Sequence, residues 1–156
     1  MSRYCALIKW SCDTDLFAEN KYSRAHSWTF DGGMTVAASA SPTIVPEPWS
    51  DAANVDPEEA FVASLSSCHM LWFLSITGSQ GFIVKSYTDN AEGVMAKNAS
   101  GKLAITQVTL NPKAVFEKAK SPSKTELADL HKAAHGKCFI ANSVKSNITI
   151  NPDFDE

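Results

Sequence analysis

The feature that most constrains the fold is one apolar segment, Asp56 to Ile76, which reads DPEEAFVASLSSCHMLWFLSI. Its first residues carry strong helix-start signals, because Asp56 is a good N-cap and Pro57 suits the first helical position. Glu59 completes an Asp-x-x-Glu capping box. The segment therefore predicts one long helix that runs to about Thr77 and stops at the glycines that follow.

Such a helix is difficult to bury within one small domain. Its second half is apolar nearly all round, which predicts burial on most sides. At ~1.5 Å per residue the helix spans roughly 30 Å. The chain has 156 residues, which is the ordinary size of one domain. We therefore expect a single domain, residues 1–156, in which a partner subunit helps to cover the long helix.

Composition and charge exclude several classes of protein. Hydrophobic residues make up 44% of the chain and charged residues 20%, which is the balance of a globular protein and not of a disordered one. A net charge of −3 leaves no basic footprint for nucleic acid. We recognise no signal peptide and no segment that qualifies as a membrane span. The expected location is therefore the cytoplasm, where thiols stay reduced.

Strands are predicted on the amino-terminal side of the long helix. Alternating residue types and the turn signal Asp31–Gly33 divide this part of the chain into strands and turns. The predicted strands are Cys5–Cys12, Lys21–Phe30 and Met34–Ala40. A proline-containing loop follows over Ser41–Val55, and its length favours a functional role.

Both strands and helices are predicted on the carboxyl-terminal side. The segment Phe82–Phe116 has the alternation and the turns of a β-meander. Ser123 and Glu126 form a second capping box, which predicts an amphipathic helix that Gly136 ends. The remaining predicted elements are a short helix from Lys137 to about Val144 and a final strand, Ser146–Ile150. The whole chain is therefore expected to be α+β.

Two of the four cysteines lie at positions that invite a chemical interpretation. Cys68 is in the middle of the predicted long helix, and Cys138 is near the start of the short one. A lone buried cysteine is usually a small apolar core residue, and the helix dipole acts too far from Cys68 to stabilise a thiolate. A reactive Cys68 therefore needs a cation from elsewhere. Cys5 and Cys12, on a predicted strand, are expected to serve packing.

The first candidate for that cation is Arg24, since the chain has only one other arginine, Arg3, near the terminus. Glu58 lies at the second position of the long helix, where a surface charge that compensates the helix dipole is the ordinary interpretation. It lies ten residues before Cys68, or about 15 Å along the axis, so the two do not touch. A long arginine could reach between them, oriented by Glu58.

Three stretches together resemble the OsmC/Ohr family of thiol-dependent hydroperoxide reductases. They are Asp-Pro-Glu-Glu with a cysteine ten residues after its first glutamate, AHGKCFIANSV around the second cysteine, and YSRAHSWTFDGG around the arginine. The resemblance implies that Cys68 is the peroxidatic cysteine and Cys138 the resolving one. It also implies that Arg24 stabilises the thiolate and polarises the peroxide, and that Glu58 holds this arginine. Phe139 departs from the family pattern, in which many members have proline.

The resemblance also implies a fold and a reaction. The family fold is an intertwined homodimer, in which long central helices are sandwiched by antiparallel sheets and both subunits build each active site. The implied reaction reduces organic hydroperoxides to alcohols, and hydrogen peroxide is a further candidate substrate. A thiolate becomes a sulfenic acid, which condenses with a second thiol to a disulfide. A dithiol reductant of the lipoyl type or a smaller dithiol restores both thiols, with no metal or other cofactor.

Three alternatives stay open. His131 and His135, spaced i, i+4 ahead of Cys138, could bind a metal with Cys68 or His69, although histidines among lysines on an amphipathic helix commonly face solvent. A Cys–His hydrolase would use Cys68 as its nucleophile, but His69 points about 100° away on the helix and Cys138 would have no role. The third alternative is a non-enzymatic dimeric module of the same fold that senses redox state or binds a small hydrophobe.

Overall fold

In the computed structural model, which describes residues 1–154, the apolar segment forms one helix, α1, Pro57–Ser79. The predicted capping box is confirmed. The carboxylate of Asp56 accepts a hydrogen bond from the backbone N–H of Glu59 at 2.7 Å, and the Glu59 carboxylate accepts one from the Asp56 N–H at 3.4 Å. After the helix, Gly81 has a φ of +77°, which glycine adopts without strain.

The chain divides into two compact units, Met1–Ala60 and the part that begins at Phe61. The first unit holds an antiparallel sheet in the order β1-β2-β3. Its strands are β1 (Ala6–Lys9), β2 (His26–Phe30) and β3 (Thr35–Ala38). All three predicted strands exist and are shorter than predicted. Arg24, expected within the second strand, lies two residues before it. The single domain expected over residues 1–156 stays a prediction.

The second unit contains two small sheets. Its strands are β4 (Val84–Asp89), β5 (Glu92–Lys97), β6 (Leu103–Leu110), β7 (Pro112–Phe116) and β8 (Asn147–Ile150). The predicted meander was wrong in its connectivity. β4 pairs with β7, while β5-β6-β8 form the other sheet, in which β6 and β8 are parallel. Alternation identifies strands but not their partners, and a parallel partner needs a crossover connection.

Helix α2, Lys124–Lys137, follows β7 in the connection between the parallel strands β6 and β8. Its predicted capping box is confirmed, since the Ser123 hydroxyl accepts from the backbone N–H of Glu126 and the Glu126 carboxylate accepts from the Ser123 N–H. Gly136 was predicted to end this helix. It lies inside the last turn instead. Glycine in a last turn is compatible with helical backbone, so its presence alone did not fix the end.

The segment after α2 also differs from the prediction. Cys138, with an extended backbone at ψ 111°, is the C-cap of α2. The short helix predicted from Lys137 to about Val144 is instead a single 3₁₀ turn, Ala141–Ser143. Cys138 therefore lies at the end of one helix and not at the start of another.

One face of α1 supplies the core of the second unit. The buried residues of α1 recur at every fourth position, as helix periodicity requires: Leu65, His69, Phe73 and Thr77. Two buried clusters pack there. The first consists of Phe73, Phe82, Leu127, Leu130 and Ala134, and the second of Leu65, Val108 and Leu110. The helix was predicted to be buried on most sides. One chain alone does not bury α1 to this extent, since its residue Leu71 is 61% exposed.

Length and composition also make α1 the one helix in the described part of the chain that could cross a membrane. The expectation that no segment qualifies was therefore wrong by that measure. The core helix of a soluble protein can have the same length and composition. α1 buries the polar side chains of His69 and Thr77 against the rest of the chain.

Gly93 permits a close approach of β5 to α1. A Cβ at this position would lie 2.6 Å from Cγ2 of Val62, a β-branched side chain with little rotamer freedom. We expect Gly93→Ala to lower the free energy of unfolding by about 1–3 kcal/mol, measured by urea denaturation. Gly136→Ala is the matched control, because nothing lies within 4 Å of its added Cβ. Equal loss of stability in the two variants would contradict the close contact.

Candidate active site

The structure brings the thiols of Cys68 and Cys138 together. Both cysteines are free, and they differ in exposure, because Cys138 is 1% exposed and Cys68 is partly exposed. Their side chains are close enough to share a hydrogen bond. The backbone N–H of Ala141 also donates to Sγ of Cys138 at 3.4 Å. The two cysteines singled out in the sequence are therefore neighbours.

The protonation of Cys138 follows from its surroundings. Burial, followed by the hydrogen bond with Cys68, raises the pKa of Cys138 to about 11, while the Ala141 N–H acts in the opposite direction. A thiol with this pKa keeps its proton at neutral pH and can donate it toward the Cys68 sulfur. Because the thiolate is the nucleophile, Cys138 is poorly suited to attack first. Cys68 is the thiol that a reagent from solvent can reach.

An aromatic contact holds the segment that carries Cys138 against α1. The ring of Phe139 packs edge-on against Trp72, with centroids 5.4 Å apart and an interplanar angle of 80°. Nζ of Lys137 lies 5.3 Å from the centroid of the same indole. Trp72 lies one helical turn after Cys68. The residue that departs from the family pattern therefore anchors this segment by side-chain packing.

His69 and His131 form a buried pair next to Cys68. Nε2 of His69 lies 2.9 Å from Nδ1 of His131, and the rings are stacked at an interplanar angle of 4°. The side chains are 1% and 2% exposed. The prediction that His131 faces solvent was wrong. It belongs to a helical core pattern that the sequence already contained and that predicts burial: Leu127, Leu130, His131, Ala134.

Both rings of this histidine pair are neutral at neutral pH. Burial is the main cause that lowers the pKa of His69 to about 4, with His135 acting in the same direction and Asp89 against it. Burial and then His69 lower the pKa of His131 to about 3. One ring N–H donates to the other ring. The two outer nitrogens, Nδ1 of His69 and Nε2 of His131, are buried without a hydrogen-bond partner among residues 1–154.

Arg24 is held by its own loop in the first unit. Its Nη1 donates to the carbonyl oxygens of Asn20 at 2.8 Å and Tyr22 at 2.6 Å, and its guanidinium carbon lies 3.7 Å from the centroid of the Tyr22 ring. An ion pair with Glu58 was expected. Within the described residues the two side chains form none, because backbone carbonyls and an aromatic face satisfy the guanidinium instead.

A groove of about 420 Å³ lies beside Arg24. Its walls are mainly apolar, and aromatic side chains form part of them. Phe17 stacks on Tyr22 with ring centroids 4.5 Å apart, and Trp10 meets Tyr22 edge-on at 5.5 Å. His26 also lines the groove. An apolar wall with one cation suits an apolar molecule that carries an electron-rich polar group.

The metal alternative and the packing role of the other cysteines find no support. No group of three or more His, Cys, Asp and Glu side chains that could hold a metal ion occurs in the part of the chain that the structure describes. Two candidate ligands of that alternative, His131 and His69, share a hydrogen bond with each other. Cys5 and Cys12, which were expected to be packed, are both exposed, and they lie before and after β1 and not within it.

Comparison with known proteins identifies the family. The family model described as OsmC-like protein matches residues 50–153. The chain belongs to this family. A solved OsmC-like protein of unknown function from Vibrio cholerae is 51% identical and superposes with a TM-score of 0.96, covering 98% of this chain and 100% of that one. No curated protein matches the sequence.

Two organic hydroperoxide resistance proteins share the OsmC-like fold at low identity. The protein from Elizabethkingia anophelis is 16% identical, with a TM-score of 0.70 over 97% of this chain and 94% of that one. OhrB of Bacillus subtilis is 18% identical, with a TM-score of 0.63 over 99% and 98%. The predicted family and the predicted α+β class are thus confirmed.

Cys138 should resist alkylation in the folded protein, because it is buried and its pKa is about 11. We expect native Cys68→Ser protein, treated with iodoacetamide at pH 7.5, to carry the label at Cys5 and Cys12 and to leave Cys138 unlabelled in peptide maps. The same protein unfolded in urea should label at all three positions. Native labelling of Cys138 as fast as that of Cys12 would contradict this environment.

The neutral histidine pair predicts a loss of stability in mild acid. In the unfolded chain both imidazoles titrate near pH 6.5, whereas folding lowers their pKa values to about 4 and about 3. The unfolded state therefore binds more protons as the pH falls through this window, and stability drops by up to ~1.4 kcal/mol per pH unit for each ring. Well above pH 6.5 both rings are neutral in the folded and in the unfolded state, so the pair adds no dependence of stability on pH there.

Urea unfolding at several values between pH 7.5 and pH 5 tests this slope. The double variant His69→Gln/His131→Asn is the control, because it keeps polar side chains at both positions and lacks the imidazoles. We expect it to lose less stability than the wild type over the same range. An equal pH dependence in the two proteins would show that the histidines already titrate normally in the fold.

Proposed function

We propose that the protein reduces organic hydroperoxides to alcohols by a two-cysteine thiol–disulfide mechanism. The observation that carries the proposal is the pairing of a partly exposed thiol, Cys68, with a buried thiol, Cys138, within hydrogen-bonding reach. A redox pair needs one thiol that meets the oxidant and a second that is protected from it until needed. Membership of the OsmC-like family and the shared fold of two hydroperoxide resistance proteins support this reaction class.

The reaction begins at Cys68. Its thiolate attacks the hydroxyl oxygen of the hydroperoxide, the O–O bond breaks, and the alkoxide takes a proton to leave as an alcohol. Cys68 is thereby oxidised by two electrons to a sulfenic acid. The sulfur of Cys138 then attacks the Cys68 sulfur, and hydroxide leaves with the proton of Cys138 as water. A dithiol reductant, of the lipoyl type or smaller, returns two electrons and two protons.

Arg24 and Glu58 keep the roles that the family resemblance implies. In the proposed reaction the guanidinium of Arg24 stabilises the thiolate and the departing alkoxide, and Glu58 holds the arginine in its working position. The ion pair between them is then formed during the reaction cycle and not in the state described above. The aromatic groove beside Arg24 supports an organic substrate over hydrogen peroxide.

A homodimer is part of the proposal. Only four of the 23 residues of α1 are buried within one chain, and Leu71 is exposed on a helix that is apolar over most of its second half. A second copy that covers this helix would remove that surface from water. Sedimentation of the purified protein measures the state directly, and a monomer at micromolar concentration would contradict it.

The second candidate function is a non-enzymatic module of the same fold that binds a small hydrophobe. The observation in its favour is the aromatic groove lined by Trp10, Phe17 and Tyr22. The oxidation experiment below separates the two functions, because a binding module has no need of a fast Cys68–Cys138 disulfide.

Stoichiometric oxidation by cumene hydroperoxide, followed by peptide mapping, tests the reaction. We expect a fast disulfide between Cys68 and Cys138, with Cys5 and Cys12 left as free thiols. Cys68→Ser should abolish peroxide consumption, whereas Cys138→Ser should consume one equivalent and stop at the sulfenic acid. Slow oxidation scattered over all four cysteines would favour the binding module.

The role of Arg24 has its own test. Loss of one preorganised donor to a developing oxyanion typically slows a reaction by about 10²–10³-fold, and we expect Arg24→Ala to slow the oxidation of Cys68 to this extent. Arg24→Lys keeps the charge without the planar fork and should retain part of the rate. An Arg24→Ala rate equal to that of the wild type would refute the assigned role.

A further inference from the structure

The hydrogen bond between His69 and His131 joins the two helices that position the redox cysteines. His69 directly follows Cys68 on α1, and His131 lies two turns before Cys138, the C-cap of α2. Within residues 1–154 it is the only side-chain hydrogen bond between a residue of α1 and a residue of α2, since Cys138, which bonds to Cys68, follows the last residue of α2. Apart from the contact of Lys137 with the Trp72 indole, the other contacts between the helices belong to the hydrophobic core, and the hydrophobic effect is non-directional. This directional bond therefore favours one orientation of α2 relative to α1.

The histidine pair is an expensive way to fill a core position. Two outer ring nitrogens remain buried without partners among the described residues, and each carries a desolvation cost. Two apolar side chains of similar volume would fill the space without that cost. The ring of His131 is also stacked on Phe73 at 4.2 Å, so the orientation of the pair is fixed by packing. A contact that costs desolvation free energy and is held in one orientation points to a role in positioning the two helices.

Disulfide formation depends strongly on geometry. The sulfurs must approach to about 2.05 Å, with the Cβ atoms about 3.8 Å apart and the dihedral angle near 90°. A small rotation or sliding of α1 against α2 moves Cys68 relative to Cys138. The position one residue from Cys68 is well suited to resist such a movement, because its side chain lies in the same helical turn.

We propose that the buried His69–His131 hydrogen bond is a positioning device that sets how readily Cys68 and Cys138 form their disulfide. Neither histidine touches the substrate. The inference rests on the proposed two-cysteine chemistry but does not require a peroxide. Whatever the oxidant, the disulfide forms only when the sulfurs of Cys68 and Cys138 approach in the same geometry. With oxidised dithiothreitol as the oxidant, the two protein thiols lose two electrons and two protons, and the reagent becomes the dithiol.

The matched variants exploit the two different ring nitrogens in the bond. The amide nitrogen of glutamine stands near the place of Nε2 in histidine, and that of asparagine near the place of Nδ1. His69→Gln and His131→Asn therefore keep a polar atom in the contact. His69→Asn and His131→Gln use the same two residue types and remove it. Each variant is made with Cys5→Ser and Cys12→Ser, which remove the exposed thiols.

The equilibrium constant of the Cys68–Cys138 disulfide, measured in dithiothreitol buffers by acid trapping and mass spectrometry, is the first readout. We expect His69→Asn and His131→Gln to shift it toward the dithiol by about tenfold, which corresponds to about 30 mV. His69→Gln and His131→Asn should stay within about threefold of the parent, a margin well inside that tenfold step. Four folded variants with the equilibrium constant of the parent would overturn the proposal.

A second measurement covers the case in which the variants that break the bond do not fold. Imidazole ¹H–¹⁵N spectra of the parent protein should show one ring N–H that is protected from solvent exchange in both the dithiol and the disulfide state. Loss of this protected proton in either state would overturn the proposal. The outcome is also separate from the proposed function. A protein that forms the disulfide with oxidised dithiothreitol but consumes no hydroperoxide would refute the peroxidase and leave this inference standing.

Discussion

The packing of α2 against α1 is the interaction on which the candidate site depends. Phe73 of α1 and Leu130 and Ala134 of α2 belong to one buried cluster. This packing brings the end of α2 to the middle of α1, so that Cys138 meets Cys68 although 70 residues separate them in sequence. The apolar contact supplies the stabilising free energy, and the histidine bond and the Trp72–Phe139 contact give it direction.

Unequal burial gives the two identical thiols different chemical properties. A cysteine enclosed by protein loses the hydration that would stabilise its thiolate, and the pKa of Cys138 rises accordingly. Cys68, one position away from the buried row of α1, stays open to solvent in part. His69 lies on the buried face of α1, whereas Cys68, the preceding residue, points about 100° away from it. The division of labour proposed for the two thiols follows from the partial exposure of Cys68 on α1 and the burial of Cys138 at the end of α2.

Local signals in the sequence were reliable where a few neighbouring residues determine the structure. The predictions of both capping boxes, of the long helix and of the existence of the strands were correct. The capping boxes are local because backbone N–H groups at a helix start need nearby acceptors. The strands follow from the alternation of neighbouring residue types. Partners distant in sequence were not predictable in the same way. The pairing of β4 with β7, the parallel pairing of β6 with β8 and the bond between His69 and His131 each depend on contacts between separate elements.

The sequence by itself determined the position of α1, the cysteine in its middle and the family pattern around both redox cysteines, since these follow from local propensity and from motifs. Only the tertiary structure decided that the two thiols meet, that one is buried, and that His131 bonds to His69. It also decided that Arg24 bonds to its own loop and not to Glu58. The physical reason is that burial and hydrogen bonding are shared among residues that the chain brings together only after its elements have packed.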